Sequence, residues 1–430
     1  MRSFRGFRAE STVVPGTMAL TAVALLPFGF GGGPRWAWTT AATCLALALV
    51  VAGLLRLVEA CVPERTSTPV GFACAIGCVL VVLAFLQAVP GLPGAHPIWA
   101  EVATALASPV AGTWSMRPTG AGPAAGLLSA MLATLWLANT APPALRERSL
   151  GVIAAMAVVA AAYGLLVVAA DTGKVLWLDK PDYRQVATGP FVSRNAFAAY
   201  LGLGLMAMAG AVEARRRAGA GIWPFYPPGA LVLLAGLAAT ESRGGLVATL
   251  TGLTAVAALW ASREGRPRAW LAAAAGVGGL TVAMAAWLGP RLTALSEAAA
   301  RRGDIYAVAL DAVAARPWLG HGAGSFAEVF STRRPVDLDR VVTEAHSVYL
   351  HAAVEWGLPA TVSMTAVALA LGFACMRAAR AGSPTGTAAA GALVLVGVHG
   401  AVDFAPQLPG VALTVAWLAG AGARVRPTPS

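Results

Sequence analysis

Long apolar runs recur from one end of the chain to the other, and their length is the strongest constraint on its fold. About twenty consecutive apolar residues form a helix that crosses the hydrocarbon core of a bilayer. Within lipid, only helices and closed barrels satisfy their own backbone. Twelve runs stand at about 13–31, 36–58, 68–90, 123–139, 149–170, 195–212, 223–240, 244–262, 269–289, 346–376, 386–404 and 408–423. They predict an all-α polytopic integral membrane protein with about twelve transmembrane helices. Residues 1–430 would form a single transmembrane domain. Its one large periplasmic loop, 290–344, would contain helices and lie between spans nine and ten. Only 12% of the residues are charged and 57% are hydrophobic. Average soluble proteins carry about 25% charged residues. That contrast excludes an ordinary soluble enzyme and an intrinsically disordered chain.

Basic residues orient the spans. The start, Met-Arg-Ser-Phe-Arg-Gly-Phe-Arg, resembles the basic end of a signal peptide. Eleven further runs follow, so an uncleaved first helix is expected. Alternate loops and ends hold Arg2, Arg5, Arg8; Arg56, Arg65; Arg146, Arg148; Arg215, Arg216, Arg217; Arg263, Arg266, Arg268; Arg377, Arg380; and Arg424, Arg426. Together these are seventeen of the 31 Lys and Arg. Positive loops stay cytoplasmic, so both termini are expected there. Of the remaining fourteen, eleven lie in two exterior stretches, 171–194 and 290–344. Long loops tolerate such charge regardless of function. Its clustering also suits an anionic ligand on the exterior face. The cysteines lack the four-ligand spacing of a structural zinc site and read as small packing residues. Segment 95–111 is expected as a short interfacial helix, with Trp99 at the headgroups.

Five stretches could carry chemistry, since charges near or inside spans are costly. Glu241-Ser242-Arg243-Gly244-Gly245 places an arginine at a helix start, where backbone N–H groups also favour anions. The alternative is a snorkelling arginine paired with Glu241. A loop helix over 301–313 starts with Arg301 and Arg302, which could fork onto phosphate oxygens. Its apolar stripe of Ile305, Tyr306, Ala309, Leu310 and Val313 is expected to pack on the membrane domain. The glycine-rich run Pro317–Phe326 reads as a tight structural turn, because no strand precedes it as a nucleotide loop requires. His346 opens the next span, with Tyr349 and Leu350 expected on its helical face and His351 and Glu355 on another. A histidine is a suitable proton acceptor near neutral pH. His399 and Asp403, spaced i,i+4, read as a buried pair that fixes helix packing or as a proton relay.

The order of these stretches resembles the O-antigen ligase and O-antigen polymerase superfamily of bacterial membrane glycosyltransferases. The resemblance runs from about residue 186 to the C-terminus. It is carried by Gly189-Pro190-Phe191-Val192-Ser193-Arg194-Asn195-Ala196-Phe197, Ser242-Arg243-Gly244, the Arg302…Tyr306 helix, Pro317-Trp318-Leu319-Gly320…Gly324-Ser325-Phe326, His346…Gly357, and His399…Asp403. The first half matches in topology alone. Ala360 stands where the ligase pattern has Gly, Thr or Tyr, a departure from ligases more than from the superfamily.

The resemblance implies transfer of a glycan from a polyprenyl diphosphate carrier, such as undecaprenyl diphosphate, to a glycan or lipid acceptor. Transfer would be inverting and occur at the periplasmic face of the bacterial inner membrane. It implies no nucleotide sugar, metal or other cofactor, and no nucleic acid as partner. Membrane lipids are the other expected partner. The catalytic residues it implies are Arg243, Arg302 and His346. Arg194, Asn195, Arg301, Tyr349 and Glu355 are expected to bind substrate. Two arginines could stabilise the departing diphosphate, as a metal does elsewhere. A polysaccharide polymerase would use the same donor with a growing glycan as acceptor. A secondary transporter or lipid flippase also suits twelve spans, but its charges are expected at the bilayer midplane. A non-enzymatic partner in envelope assembly would tolerate replacement of all three catalytic candidates.

Overall fold

A computed structural model describes residues 13–59, 66–180, 183–263, 292–334 and 342–424. The expected span at 269–289, the basic N-terminal segment and the side chain of Arg301 lie outside what it describes. The first half contains α1 (Val13–Leu25), α2 (Arg35–Glu59), α3 (Thr68–Gln87), α4 (Ile98–Ala105), α5 (Ala121–Thr140) and α6 (Pro143–Ala169). A two-stranded hairpin, β1 (Lys174–Val175) with β2 (Leu178–Asp179), precedes α7 (Arg194–Arg217), α8 (Tyr226–Ala239) and α9 (Arg243–Arg263). Then follow α10 (Leu292–Ala315), α11 (Phe326–Arg333), α12 (Val348–Trp356), α13 (Leu358–Arg380), α14 (Pro384–Gly400) and α15 (Pro409–Gly422). Among the described residues, seven helical segments are long and apolar enough to cross a membrane. Among the described residues the molecule is helical apart from one minimal hairpin, which is consistent with a polytopic membrane protein.

α7 is the hub. Residues from Ala196 to Met208 are buried on every face, with α6, α8, α9 and α14 packed around them. Small residues permit this closeness, as is usual where helices associate in lipid. A side chain at Gly204 would strike Ala157 of α6, and one at Gly210 would strike the Pro384 carbonyl 2.8 Å away. The far end of α7 is pinned by charge. Glu213, 6% exposed, accepts from Arg217 at 3.0 Å, Arg263 at 2.5 Å and Trp260 at 2.8 Å. Arg263 also donates to Thr387 at the start of α14.

A second, smaller core lies outside this bundle. Ile305, Val308, Ala309 and Ala312 of α10 pack with Phe326, Val329 and Phe330 of α11 and Val354 of α12. The expected loop helix is therefore present, with two corrections. It begins at Leu292, so Arg302 sits ten residues into the helix. The run Ala298-Ala299-Ala300 favours helix and extends it backwards. Leu310, expected on the apolar stripe, is 57% exposed. The expected span at 346–376 is two helices, α12 and α13. Gly357, at φ 79°, separates them, and Pro359 pre-organises the first turn of the next helix. His346 is not helical; it stands before the Ser347 cap, whose hydroxyl accepts the Leu350 amide at 3.4 Å.

The glycine-rich run is a tight turn. Gly322 has φ 108°, and an added Cβ would fall inside the Ser115 side chain. Gln87, fully buried at the end of α3, donates to the Leu319 carbonyl at 2.8 Å and accepts the Ala323 amide at 3.0 Å. Beside it, two buried histidines join loops 225 residues apart: His96 Nε2 lies 2.9 Å from His321 Nδ1. His321 Nε2 is 2.9 Å from the Ala312 carbonyl, so it must donate. That leaves Nδ1 to accept, and His96 Nε2 to donate to it. His96 Nδ1 then accepts the Ile98 amide at 3.2 Å. One pair of neutral tautomers satisfies all three contacts. Trp99 donates to the Ser115 carbonyl at 3.1 Å and is held within this loop.

Candidate active site

Four elements converge at the N-terminal ends of α7 and α9. The first residues of α7 supply Arg194 and Asn195. Ser193 caps that helix, its hydroxyl accepting the Ala196 amide at 3.3 Å. Ser242 caps α9, accepting the Gly245 amide at 3.2 Å, and sets Arg243 as its first residue. His399 lies in the last turn of α14, and Asp403 follows it. His346 arrives from the segment before α12.

A hydrogen-bond chain links these elements. The Ser242 hydroxyl donates to Asn195 Oδ1 at 2.8 Å. Asn195 Nδ2 donates to Asp403 Oδ2 at 2.6 Å, and the Ala405 amide donates to Asp403 Oδ1 at 2.9 Å. Asp403 is 1% exposed. Gly244 backs onto His399, so that an added Cβ would lie 3.5 Å from its ring. The His346 ring meets Phe404 edge-on, with centroids 5.7 Å apart. Asp403 and Arg302 both interact electrostatically with His346 and His399.

Arg302 reaches this cluster from α10. One turn further along, the Tyr306 hydroxyl donates to the His346 carbonyl at 3.1 Å. That bond helps hold His346 at φ 51°, a left-handed conformation a non-glycine residue seldom adopts. Burial pushes the His346 pKa down. The Asp403 charge opposes that effect and the Arg302 charge reinforces it; the net direction is down. The imidazole is therefore neutral at pH 7 and able to accept a proton.

Several buried polar atoms here have no hydrogen-bond partner among the described residues: Arg243 Nη1, Arg194 Nε, His346 Nδ1, and both ring nitrogens of His399. Native interiors seldom leave such atoms unpaired without a functional reason. Arg194 also lies over the Tyr183 ring, 4.8 Å from its centroid.

The structure thus brings together Arg243, Arg302, His346, Arg194 and Asn195. The polar ends of Tyr349 and Glu355, also expected to contact substrate, are engaged elsewhere in the protein. Tyr349 donates to the Gly397 carbonyl at 2.9 Å. Glu355, 5% exposed, takes the Phe326 amide at 3.0 Å and pairs with His351 at 3.2 Å. Asn195 spends both ends of its amide on Ser242 and Asp403. His399 and Asp403 are both buried, and Asp403 bonds to Asn195 and Ala405. Ser242 and Tyr306 stand in the expected motifs, but their roles as cap and as hydrogen-bond donor to His346 were not read from sequence, nor was the Phe404 contact. The Ser-Arg-Gly spacing could have indicated Ser242 as a cap.

No curated protein matches the chain. Residues 228–365 match the model of a family described as O-antigen ligase. This segment includes Arg243, Arg302 and His346, three of the residues that meet in the cluster. Over that segment the chain is similar to the O-antigen ligase and polymerase superfamily, and its seven long apolar helices are consistent with a membrane protein.

Proposed function

We propose that the chain transfers a glycan from a polyprenyl diphosphate carrier to an acceptor hydroxyl, at the exterior face of a twelve-span protein in the bacterial inner membrane. The supporting observation is the meeting of Arg243, Arg302 and a neutral His346 in a cluster where Arg243 Nη1, His346 Nδ1 and both His399 ring nitrogens have no hydrogen-bond partner among the described residues. The acceptor oxygen attacks the anomeric carbon of the donor sugar. A new glycosidic C–O bond forms while the C–O bond to the diphosphate breaks. The acceptor proton passes to the His346 imidazole, and the diphosphate leaves with the bonding electrons. One displacement at that carbon inverts its configuration. Arg243 and Arg302 stabilise the charge that grows on the leaving group, in a site shielded from water. Arg194 adds a third positive charge on the donor side. This chemistry needs no metal in principle, because two guanidinium groups offer the same charge compensation.

The test is complementation in a host lacking the gene, with His346→Ala and Arg302→Ala variants. The expected result is normal membrane insertion, accumulation of carrier-linked glycan and loss of mature surface glycan. Normal product from both variants would remove the reading. Product length would distinguish single-chain transfer from polymerisation.

A further inference from the structure

We infer that Asn195 is a positioning residue: its amide ties the Asp403 carboxylate to the Ser242–Arg243 turn and so fixes where that negative charge stands beside His346. The inference rests on the role of His346 proposed above.

The amide orientation follows from its neighbours. A carboxylate only accepts, so the NH2 group must face Asp403 Oδ2, at 2.6 Å. The Asn195 oxygen then faces Ser242 at 2.8 Å, and that hydroxyl donates to it while accepting the Gly245 amide. The other carboxylate oxygen takes the Ala405 amide at 2.9 Å. With both oxygens engaged, the carboxylate cannot turn. One amide therefore connects the start of α7, the N-terminal turn of α9 that carries Arg243, and the segment after α14. A negative charge near an imidazole favours its protonated form, the form His346 would take up during transfer. Displacing Asp403 would weaken that support and loosen the Arg243 turn together.

The experiment uses the full chain reconstituted in vesicles with a carrier-linked glycan and its acceptor, and reads kcat, KM and the pH profile. Asn195→Asp sets two carboxylates against each other and is expected to lower kcat at least tenfold, with donor KM within about twofold. The double exchange, Asn195→Asp with Asp403→Asn, preserves every bond by type. Asp at 195 accepts from Ser242 and from the new amide, and that amide still accepts from Ala405. It moves the charge from position 403 to its hydrogen-bond partner at position 195. Recovery of kcat to within a few-fold of the parent is expected, with the acid limb shifted to lower pH.

A double variant no better than the single one overturns the inference. So does Asn195→Asp that raises donor KM with kcat unchanged, which would make the side chain a direct substrate contact. If Asn195→Asp does not fold, as judged by thermal unfolding in detergent, the double variant compared with the parent gives the same decision. His346→Ala is run in parallel. Its retention of transfer would remove the reading of the site itself, separately from the Asn195 result.

Discussion

Acid should loosen the loop that carries His96, before it unfolds the helical bundle. The perturbation is a change from pH 7 to pH 5. Burial first, then the Arg316, His321 and Arg333 charges, push the His96 pKa down to about 4. Burial also pushes His321 down against the opposing Ala312 hydrogen bond, with Arg333 and Arg316 reinforcing and Asp311 opposing. Two of the three contacts act in the same sense, while the His321 bond to the Ala312 carbonyl opposes it. A proton on His96 Nδ1 would oppose the Ile98 N–H, and one on His321 Nδ1 would oppose the His96 donor. The opened loop titrates near the ordinary histidine value of about 6.5. A lowered folded pKa means the closed form is favoured above that value. The advantage is lost as pH falls from about 6.5 towards 4. Between pH 7 and pH 5 the linkage amounts to about 2 kcal/mol. Solvent screening at this loop surface reduces it to about 1 kcal/mol, roughly a fivefold rise in loop opening.

Hydrogen exchange at the Ile98 amide reads this directly, because that amide donates to His96. After correction for the intrinsic rate, its protection should fall about fivefold between pH 7 and pH 5. In His96→Phe the loop should be less protected at both values, and the pH dependence should shrink to the smaller part due to His321. Unchanged protection in the parent, or the same pH dependence in the variant, would refute the tautomer argument.

Other outcomes follow from the same geometry. Gly322→Ala combines a φ of 108° with a collision at Ser115, so it should destabilise the turn by several kcal/mol and lower the thermal midpoint in detergent. Glu213→Gln leaves Arg263, 14% exposed at its side chain, without its carboxylate; a loss of about 3 kcal/mol is expected, read as a lower unfolding midpoint. The acid limb of transfer should lie below the ordinary histidine range, because His346 is held down by burial; a limb above about 6.5 would identify another base. Tyr306→Phe removes the hydrogen bond to the strained His346 backbone, and a several-fold fall in kcat with membrane insertion intact is expected.

Much of the helical fold is legible in the sequence, because lipid demands long apolar helices and their runs are hard to miss. Helices overlap eleven of the expected runs, and the twelfth falls outside the described residues. The break at Gly357 is less legible, since Val354, Trp356 and Leu358 continue the apolar run across it. Gly357 and Pro359 carried the signal for a break. Arg302 appears at a helix start only if the alanines before it are ignored. Arg243, Arg302 and His346 are recognisable by residue type and order. Ser242, Asn195 and Asp403 also lie in the expected motifs, but their linkage is not legible, because it crosses 47 and 208 residues. No local pattern in a single sequence encodes such a separation. The His96–His321 contact is hidden for the same reason.

The pinning of α7 at both ends has a consequence for motion. Near its start, Asn195 joins it to the α9 turn through Ser242 and to the segment after α14 through Asp403. About 27 Å away along the helix, Glu213 joins it to α9 through Arg263 and Trp260, and Arg263 reaches α14 through Thr387. Three helices fastened at two such distant points resist sliding and splaying alike. They behave as a stator. Any movement that admits a long lipid chain, or lets a glycan pass, then falls to elements outside these three helices. Arg243, on the fixed part, would keep its place while other groups move against it.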